Sequence, residues 1–142
     1  SLMGGGKRIR AVLVLSVCDM LGGNMQAAEQ FAAAVEMLHC YSLIHDDLPC
    51  MDNDDLRRGR PSCHKAFDEA TAMLAGDVLL TEAFEVIANA PADADVCVQA
   101  AAALSAGAGS RGMVYGTFVI MQPLSFFYSS PRTRRFVCPR QK

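Results

Sequence analysis

Apolar residues recur every three or four positions along most of the first hundred residues, which is the spacing of an α-helix. Gly22-Gly23, Pro49 and Pro91 interrupt the pattern, and residues of these types end helices. The pattern predicts four helices, over 8–21, 26–48, 69–89 and from 93 or 95 to about 105. No strand is predicted before Tyr115, where "VYGTFVIM" fits either a strand or a buried helix. The predicted fold class is all-α.

The same pattern predicts which helix faces turn away from water. The positions of these faces, all apolar except Ser16, are Ile9, Val12, Leu13, Ser16, Val17 and Met20 on the first helix, Phe31, Ala34, Val35, Leu38 and Leu43 on the second, and Leu74, Leu79, Phe84 and Ile87 on the third. Asp68 is the predicted N-cap of the third helix. Small residues would let the helices pack closely. These are Ala32, Ala33, Ala72, Ala75 and Gly76.

The amino-acid composition excludes several classes of protein. The 142 residues are 51% apolar, which suits one globular domain and excludes a disordered chain. No apolar run approaches the ~20 residues of a membrane span, so no transmembrane segment is predicted. The six cysteines form no CxxC pair, which favours reduced thiols and a cytoplasmic protein. The net charge of −2 gives no reason to predict a nucleic-acid partner.

Charge is distributed unevenly along the chain. All fifteen acidic residues and seven of the thirteen basic ones lie at or before Asp95, and the residues after it hold six basic residues and no acid. The same C-terminal stretch contains three prolines and loses the helical period. We interpret 1–114 as the helical domain and 115–142 as a divergent basic tail, as a frameshift or a misjoined exon would produce. A functional basic arm is the alternative.

Charged side chains are most concentrated in residues 45–61, "HDDLPCMDNDDLRRGRP". This acid-rich segment holds five carboxylates and three arginines. Asp46 and Asp47 fall in the last turn of the second predicted helix, where each acid is unfavourable by about 0.3–1 kcal/mol. Such a cluster needs a cation, and oxygen-only ligands favour Mg²⁺ over zinc. Because Mg²⁺ also accepts phosphate oxygens and arginines bind them, the segment predicts a metal and phosphate site.

The acid-rich segment also admits explanations other than a magnesium site. A solvated acidic and basic loop without a ligand is the simplest of them. An EF-hand loop counted from Asp52 would need glycine at its sixth position, where Arg57 stands. A metal phosphohydrolase built on His45 and Asp46 would need further histidines, and the chain has only two others.

Three stretches resemble one family in order and spacing: "GGGKRIRAVL", "LHCYSLIHDDLPCMDNDDLRRGRPSCHKAF" and "ATAMLAGDVLLTEAFEVIA". They are similar to the trans-prenyl diphosphate synthases, or polyprenyl synthetases, over about residues 1–114, most of all to the bacterial farnesyl and geranylgeranyl diphosphate synthases. The resemblance implies the N-terminal portion of the all-α isoprenoid synthase bundle, homodimeric in the intact family. It implies a Mg²⁺-dependent prenyltransferase that joins isopentenyl diphosphate to dimethylallyl or geranyl diphosphate. The implied product is farnesyl diphosphate, with a geranylgeranyl diphosphate synthase as the alternative.

The resemblance also implies roles for individual residues. Asp46 and Asp52 would bind Mg²⁺ as the first aspartate-rich motif, with Asp47 as an auxiliary ligand. Arg57 would hold the allylic diphosphate, and it forms the expected catalytic set with Asp46 and Asp52. Tyr41, five positions before Asp46, would close the floor of the product pocket and favour the farnesyl product. The residues expected to bind isopentenyl diphosphate are Lys7, Arg10, His39 and Arg58.

One part of the family pattern is missing. The second aspartate-rich motif completes the metal cluster from the opposite wall, and here no acid follows Asp95. After "SRGMV" the chain continues "YGTFVIMQPLSFF", where the family has a glycine pair and a glutamine. We therefore expect an incomplete synthase that is weakly active or inactive. The alternative is a non-catalytic remnant that binds diphosphates or a partner synthase subunit. His64 and Lys65 also fit the pattern, as a possible contact only.

Overall fold

The computed structural model describes residues 6–116, most of which are helical. The elements are α1 (Ile9–Met20), α2 (Met25–Asp46), β1 (Leu56–Arg57), β2 (Arg60–Pro61), α3 (Cys63–Ala66), α4 (Glu69–Ala88) and α5 (Ala94–Ala108). The all-α prediction and the four predicted helices are confirmed, each helix within a few residues of its predicted ends. The prediction of no strand before Tyr115 is wrong, because β1 and β2, of two residues each, pair as a short hairpin. The short α3 was not predicted either, and both features lie in or beside the acid-rich segment.

The chain divides into two compact units after Ser105. The first contains α1 to α4 and most of α5, and the second begins with the last residues of α5. The predicted boundary between 114 and 115 stays a prediction, because residues 117–142 lie outside the described residues. Most of "VYGTFVIM" lies there as well.

Side-chain caps fix where two of the long helices begin. Asn24 accepts a hydrogen bond from the Ala27 N–H at 3.2 Å, and α2 begins one residue earlier than predicted. Asp68 accepts from the Thr71 N–H at 2.7 Å and from Thr71 Oγ1 at 2.8 Å, which confirms its predicted capping role. The Asn24 amide also donates to the Pro91 carbonyl at 2.7 Å and so ties the start of α2 to the turn before α5.

The core lies where α2 packs against α1 and α4. Most of the buried apolar side chains are alanines, which allow close helix packing. The buried apolar residues of α2 and α4 are Ala27, Ala28, Ala32, Ala34, Leu38, Cys40, Ile44, Ala72, Ala83 and Ile87. At the end of α2 that leads into the acid-rich segment, Ile44, Leu48 and Ala72 form a cluster with Cys63 and Leu79. This cluster anchors the segment to α4.

Core predictions are confirmed at some positions and wrong at others. Buried as predicted are Ala32, Ala34, Leu38, Ala72, Gly76 and Ile87. Ala33 and Leu74 are exposed, Leu74 by 63%, so both predictions are wrong. Leu74 lines an open cavity with Ile44 of α2 and with Leu79, so it lies at the edge of the contact between α2 and α4.

The apolar stripe of α1 is largely exposed. This helix contains no buried residue, and Ile9, Val17 and Met20 are exposed by 56%, 50% and 81%. A periodic stripe shows which face avoids water and does not show what covers it. Within the described residues α1 packs mainly on α2, and the rest of its apolar surface faces solvent.

Two further observations concern the membrane and the thiols. Across residues 6–116, no helix combines the length and the apolarity that crossing a bilayer would require. The five cysteines in this part of the chain, Cys18, Cys40, Cys50, Cys63 and Cys97, are free thiols. This agrees with the predicted reduced state for those residues.

Candidate functional site

The acid-rich segment ends in a tight hairpin that carries its arginines. β1 and β2 pair antiparallel, with Arg57 opposite Arg60. Arg58 and Gly59 form the turn with positive φ values of 55° and 74°, as in a type I′ hairpin. A non-glycine residue in this conformation costs roughly 1–2 kcal/mol, so the fold holds Arg58 in place against local strain.

Arg57 is tied to the end of α2 by a buried carboxylate. Asp47 is only 3% exposed, and its two oxygens accept hydrogen bonds from Arg57 Nε at 3.0 and 3.2 Å. Arg57 Nη2 also donates to Asp47, and it lies 3.8 Å from Asp54 Oδ2. The hydrogen bond with Asp47 raises the pKa of Arg57. The structure therefore gives Asp47 the role of holding Arg57, while its predicted role as an auxiliary metal ligand stays a prediction.

Asp46 and Asp52 lie near each other across the loop that follows α2. The Asp52 N–H donates to the Asp46 carbonyl at 2.9 Å, and the Met51 and Asn53 N–H groups donate to the Leu48 carbonyl. Burial raises the pKa of Asp46, and the nearby Asp52 charge raises it further. A divalent cation would relieve this repulsion.

The donor set of this pair fits Mg²⁺. Within residues 6–116, no three His, Cys, Asp or Glu side chains converge as a protein-only metal site. Mg²⁺ is commonly held by one or two carboxylates, with waters and substrate phosphates completing its shell. Asp46 and Asp52 supply two carboxylates of that kind, and the charge of Arg57 lies close enough to act on Asp46.

A second site lies between the start of α1, the middle of α2 and the hairpin. It is a cavity of about 410 Å³. Its lining residues are Gly6, Lys7, Arg8, Ile9, Arg10, Glu36, His39 and Arg58. The four residues predicted to bind isopentenyl diphosphate come from three separate segments, and the structure brings all four to this one cavity.

Backbone geometry and electrostatics fit this cavity to an anion. Gly6 has a φ of 151°, and a Cβ there would collide with the Arg58 guanidinium, so glycine allows the close approach. Burial lowers the pKa of His39, and the neighbouring Arg10 charge lowers it further. His39 is therefore a neutral hydrogen-bonding group among cations at neutral pH.

The cavity also contains one carboxylate, Glu36, which is 7% exposed. Its Oε1 accepts from the Ala11 N–H at 3.3 Å, and its Oε2 pairs with Arg8 Nη1 at 3.3 Å. Glu36 thus links the middle of α2 to the first turn of α1.

Tyr41 lies where α2 meets α4. Its half-buried ring makes an edge-to-face contact with His45, with centroids 5.5 Å apart, and burial followed by the Asp46 charge raises the pKa of its hydroxyl. His45 Nε2 lies 2.9 Å from the Met73 carbonyl. A Cβ at Gly76 would collide with the His45 ring, so Gly76 makes room for this contact.

The base of the hairpin is closed by a buried pair. The Ser62 N–H donates to the Asp55 carbonyl at 3.0 Å, which extends the hairpin by one bond. Ser62 Oγ lies 3.1 Å from His64 Nδ1, and both residues are buried. Lys65 Nζ reaches Asp55 Oδ1 at 2.9 Å. These contacts place His64 and Lys65 beneath the hairpin.

The sequence model of the family "Polyprenyl synthetase" matches residues 1–110 of the chain. The chain belongs to the polyprenyl synthetase family. This confirms the resemblance inferred from the three motifs and explains why the aspartates, arginines and glycines of the site occur in this order.

Similar proteins include farnesyl and geranylgeranyl diphosphate synthases. The chain is 57% identical to a farnesyl diphosphate synthase of Micrococcus luteus over 122 residues, which cover 86% of this chain and 42% of the relative. It is 51% identical to the heterodimeric geranylgeranyl pyrophosphate synthase large subunit 1 of Arabidopsis thaliana over 123 residues, covering 84% and 33%. A geranyltransferase from Legionella pneumophila has a similar structure, with a TM-score of 0.84 and 45% identity, covering 95% and 48%. The chain spans less than half the length of these polyprenyl synthetase relatives.

Sequence reasoning missed the contacts of Asp47, Glu36 and Ser62. A buried contact of Glu36 could have been inferred from the sequence. Glu36 is an acid three residues before His39 on the same side of α2, and its neighbours Ala34 and Leu38 are buried. The pairing of Asp47 with Arg57 had no comparable signal, because every acid of the segment is a possible partner for each arginine.

Proposed function

We propose that this chain provides the first metal-binding wall and the isopentenyl diphosphate cavity of a Mg²⁺-dependent prenyltransferase that makes farnesyl diphosphate. The observation that carries the proposal is the convergence of Lys7, Arg10, His39 and Arg58 on one cavity, next to a hairpin whose Arg57 stands beside the Asp46 and Asp52 pair. Two anion sites side by side suit a reaction that joins two diphosphate substrates.

Each residue has a proposed task in the condensation. Bound Mg²⁺ would neutralise charge on the allylic diphosphate as it leaves. Asp46 and Asp52 would hold that ion, and Arg57, oriented by Asp47, would bind the same diphosphate through its guanidinium. Arg58 turns to the other side of the hairpin tip and lines the isopentenyl diphosphate cavity. The hairpin thereby sets the spacing between the two substrates, which is the main requirement for a bimolecular step.

Binding experiments test the proposal on the purified chain. Titration calorimetry with Mg²⁺ and a non-hydrolysable allylic diphosphate analogue should show that each increases the affinity for the other. An Asp46→Asn, Asp52→Asn double variant should lose this coupling. A Glu82→Gln, Glu85→Gln variant, which removes two exposed acids from α4, should keep it. Equal coupling in the double variant would exclude the proposed metal site.

A second candidate function is that of a diphosphate-binding subunit without its own turnover. The observation that favours it is that residues 96–142 contain no acid that could form a second aspartate-rich wall. An assay with radiolabelled isopentenyl diphosphate, geranyl diphosphate and Mg²⁺ separates the two. Coupled binding with no farnesyl diphosphate formed supports the subunit, and Mg²⁺-dependent product formation supports the enzyme.

A further inference from the structure

We infer that Glu36 is a positioning residue for the isopentenyl diphosphate cavity: it caps α1 from the neighbouring helix and so holds the cations at the start of α1 opposite His39. The identity of the ligand rests on the proposed function above. The contacts that Glu36 makes do not depend on that proposal.

The start of α1 depends on Glu36 for a cap. The first N–H groups of a helix have no partner within the helix. Arg8 occupies the N-cap position with a φ of 47° and makes no capping hydrogen bond with its side chain. Glu36 supplies the missing acceptor to the Ala11 N–H. Its negative charge at a helix N-terminus is also favourable.

The same carboxylate organises the cavity. Lys7 and Arg10 flank the capped turn, and His39 follows Glu36 by one helical turn on α2. Glu36 therefore connects the two segments that carry these three side chains, and its pairing with Arg8 adds a second link.

Electrostatics and positioning predict opposite results when this charge is removed. A carboxylate inside an anion site repels the ligand, so its loss should strengthen diphosphate binding if charge alone matters. If Glu36 positions Lys7 and Arg10, its loss should weaken binding. The sign of the change therefore decides between the two roles.

The experiment measures the affinity of the purified chain for inorganic diphosphate by calorimetry. Glu36→Ala should weaken binding about tenfold, which is ~1.4 kcal/mol. Glu36→Gln keeps an acceptor for the Ala11 N–H and removes the repelling charge, so it should bind diphosphate at least as tightly as wild type. Glu29→Gln makes the same charge change at an exposed position of α2 and should leave the affinity unchanged. Ile87→Val, a destabilised control, should also leave it unchanged.

A second measurement tests the capping of α1 by Glu36 in the absence of any ligand. Hydrogen exchange at the Ala11 amide should be faster in Glu36→Ala and close to wild type in Glu36→Gln. Tighter diphosphate binding by Glu36→Ala, or unchanged exchange at Ala11 in Glu36→Ala, overturns the inference. If the wild-type chain does not bind diphosphate but Ala11 exchange accelerates in Glu36→Ala, the ligand assignment is wrong and the capping role of Glu36 stands.

Discussion

The two adjacent aspartates at the end of α2 differ in what surrounds them. Asp47 is buried and paired with Arg57, so its charge is compensated inside the protein. Asp46 is partly buried next to Asp52, and its raised pKa shows that its charge is poorly compensated. An uncompensated carboxylate is suited to a cation that arrives with the substrate. This difference between neighbours leads to a prediction about stability.

Replacing Asp46 by asparagine should make the metal-free chain more stable at neutral pH. A carboxyl whose pKa is higher in the folded state stabilises the fold while protonated. That contribution is lost as the pH rises from the ordinary aspartate value of 3.8 through the folded pKa. Asp46→Asn should therefore raise the free energy of unfolding at pH 7, and the gain should shrink as the pH falls toward 3.8.

Urea unfolding followed by circular dichroism at several pH values measures this effect. Glu29→Gln, at an exposed position of the same helix, is the control and should show no comparable gain. The prediction is contradicted if Asp46→Asn is less stable than wild type at pH 7. The same variant should bind Mg²⁺ and the diphosphate analogue more weakly, so stability and ligand binding change in opposite directions.

At the scale of elements, the contact between α2 and α4 positions the acid-rich segment. Gly76 lies under the ring of His45, which is in the last turn of α2 next to Asp46. Gly76→Ala should lower the free energy of unfolding by about 1 kcal/mol. Overpacking costs about 1–3 kcal/mol, and the better helix propensity of alanine returns only about 0.5–1 kcal/mol.

The matched control for Gly76 is Gly107, a glycine in α5. A Cβ at Gly107 would meet no atom within 4 Å, so Gly107→Ala should be neutral or stabilising by up to about 1 kcal/mol. Urea unfolding of both variants decides the matter. If the two substitutions stabilise the chain equally, the close contact between Gly76 and His45 is not important for packing.

The position of Tyr41 on α2 leads to a prediction about product length. Tyr41 precedes Asp46 by five residues, a rise of about 7.5 Å along α2, and its ring contacts His45, which packs against α4. We propose that Tyr41 limits the growing chain to the farnesyl product. The test is a chimera in which residues 1–110 replace the matching segment of the Micrococcus luteus farnesyl diphosphate synthase. Tyr41→Ala should shift its products toward geranylgeranyl diphosphate, and Tyr41→Phe, which keeps the ring, should not. An unchanged product spectrum in Tyr41→Ala would contradict this role.

At the scale of the whole molecule, large apolar side chains face solvent on two helices. On α1, Val12, Leu13 and Val17 are each at least 50% exposed, and on α4 Leu74 and Val78 are exposed by 63% and 56%. Surfaces of this kind favour association. We therefore predict that the purified chain sediments above its monomer mass of 15.2 kDa.

Charged substitutions on α1 test this prediction. Leu13→Lys with Val17→Lys should shift the sedimentation profile toward the monomer, because lysines on an apolar face oppose its burial. The control is Gln99→Lys with Ser105→Lys, two exposed polar positions of α5. A wild-type chain that stays monomeric across the concentration range would show that these faces do not drive association.

Structural features that depend on the spacing of nearby residues could be predicted from the sequence. Helix period, the glycine and proline breaks and the Asp68 cap depend on residues a few positions apart, and the predicted helices followed from them. The order of the motifs was sufficient to recognise the family. Resemblance, and not geometry, also grouped Lys7, Arg10, His39 and Arg58, which the structure places around one cavity.

Contacts between residues that are distant in the chain depend on the tertiary structure and could not be predicted from the sequence. The pairing of Asp47 with Arg57, and the capping of α1 by Glu36, join residues whose separation in the chain carries no periodic signal. The tertiary structure also decided that the α1 stripe is exposed, since an apolar face looks the same in sequence whether it is covered or not. The reason is physical: local spacing sets the energy of a single helix, whereas long-range contacts depend on how the helices pack against one another.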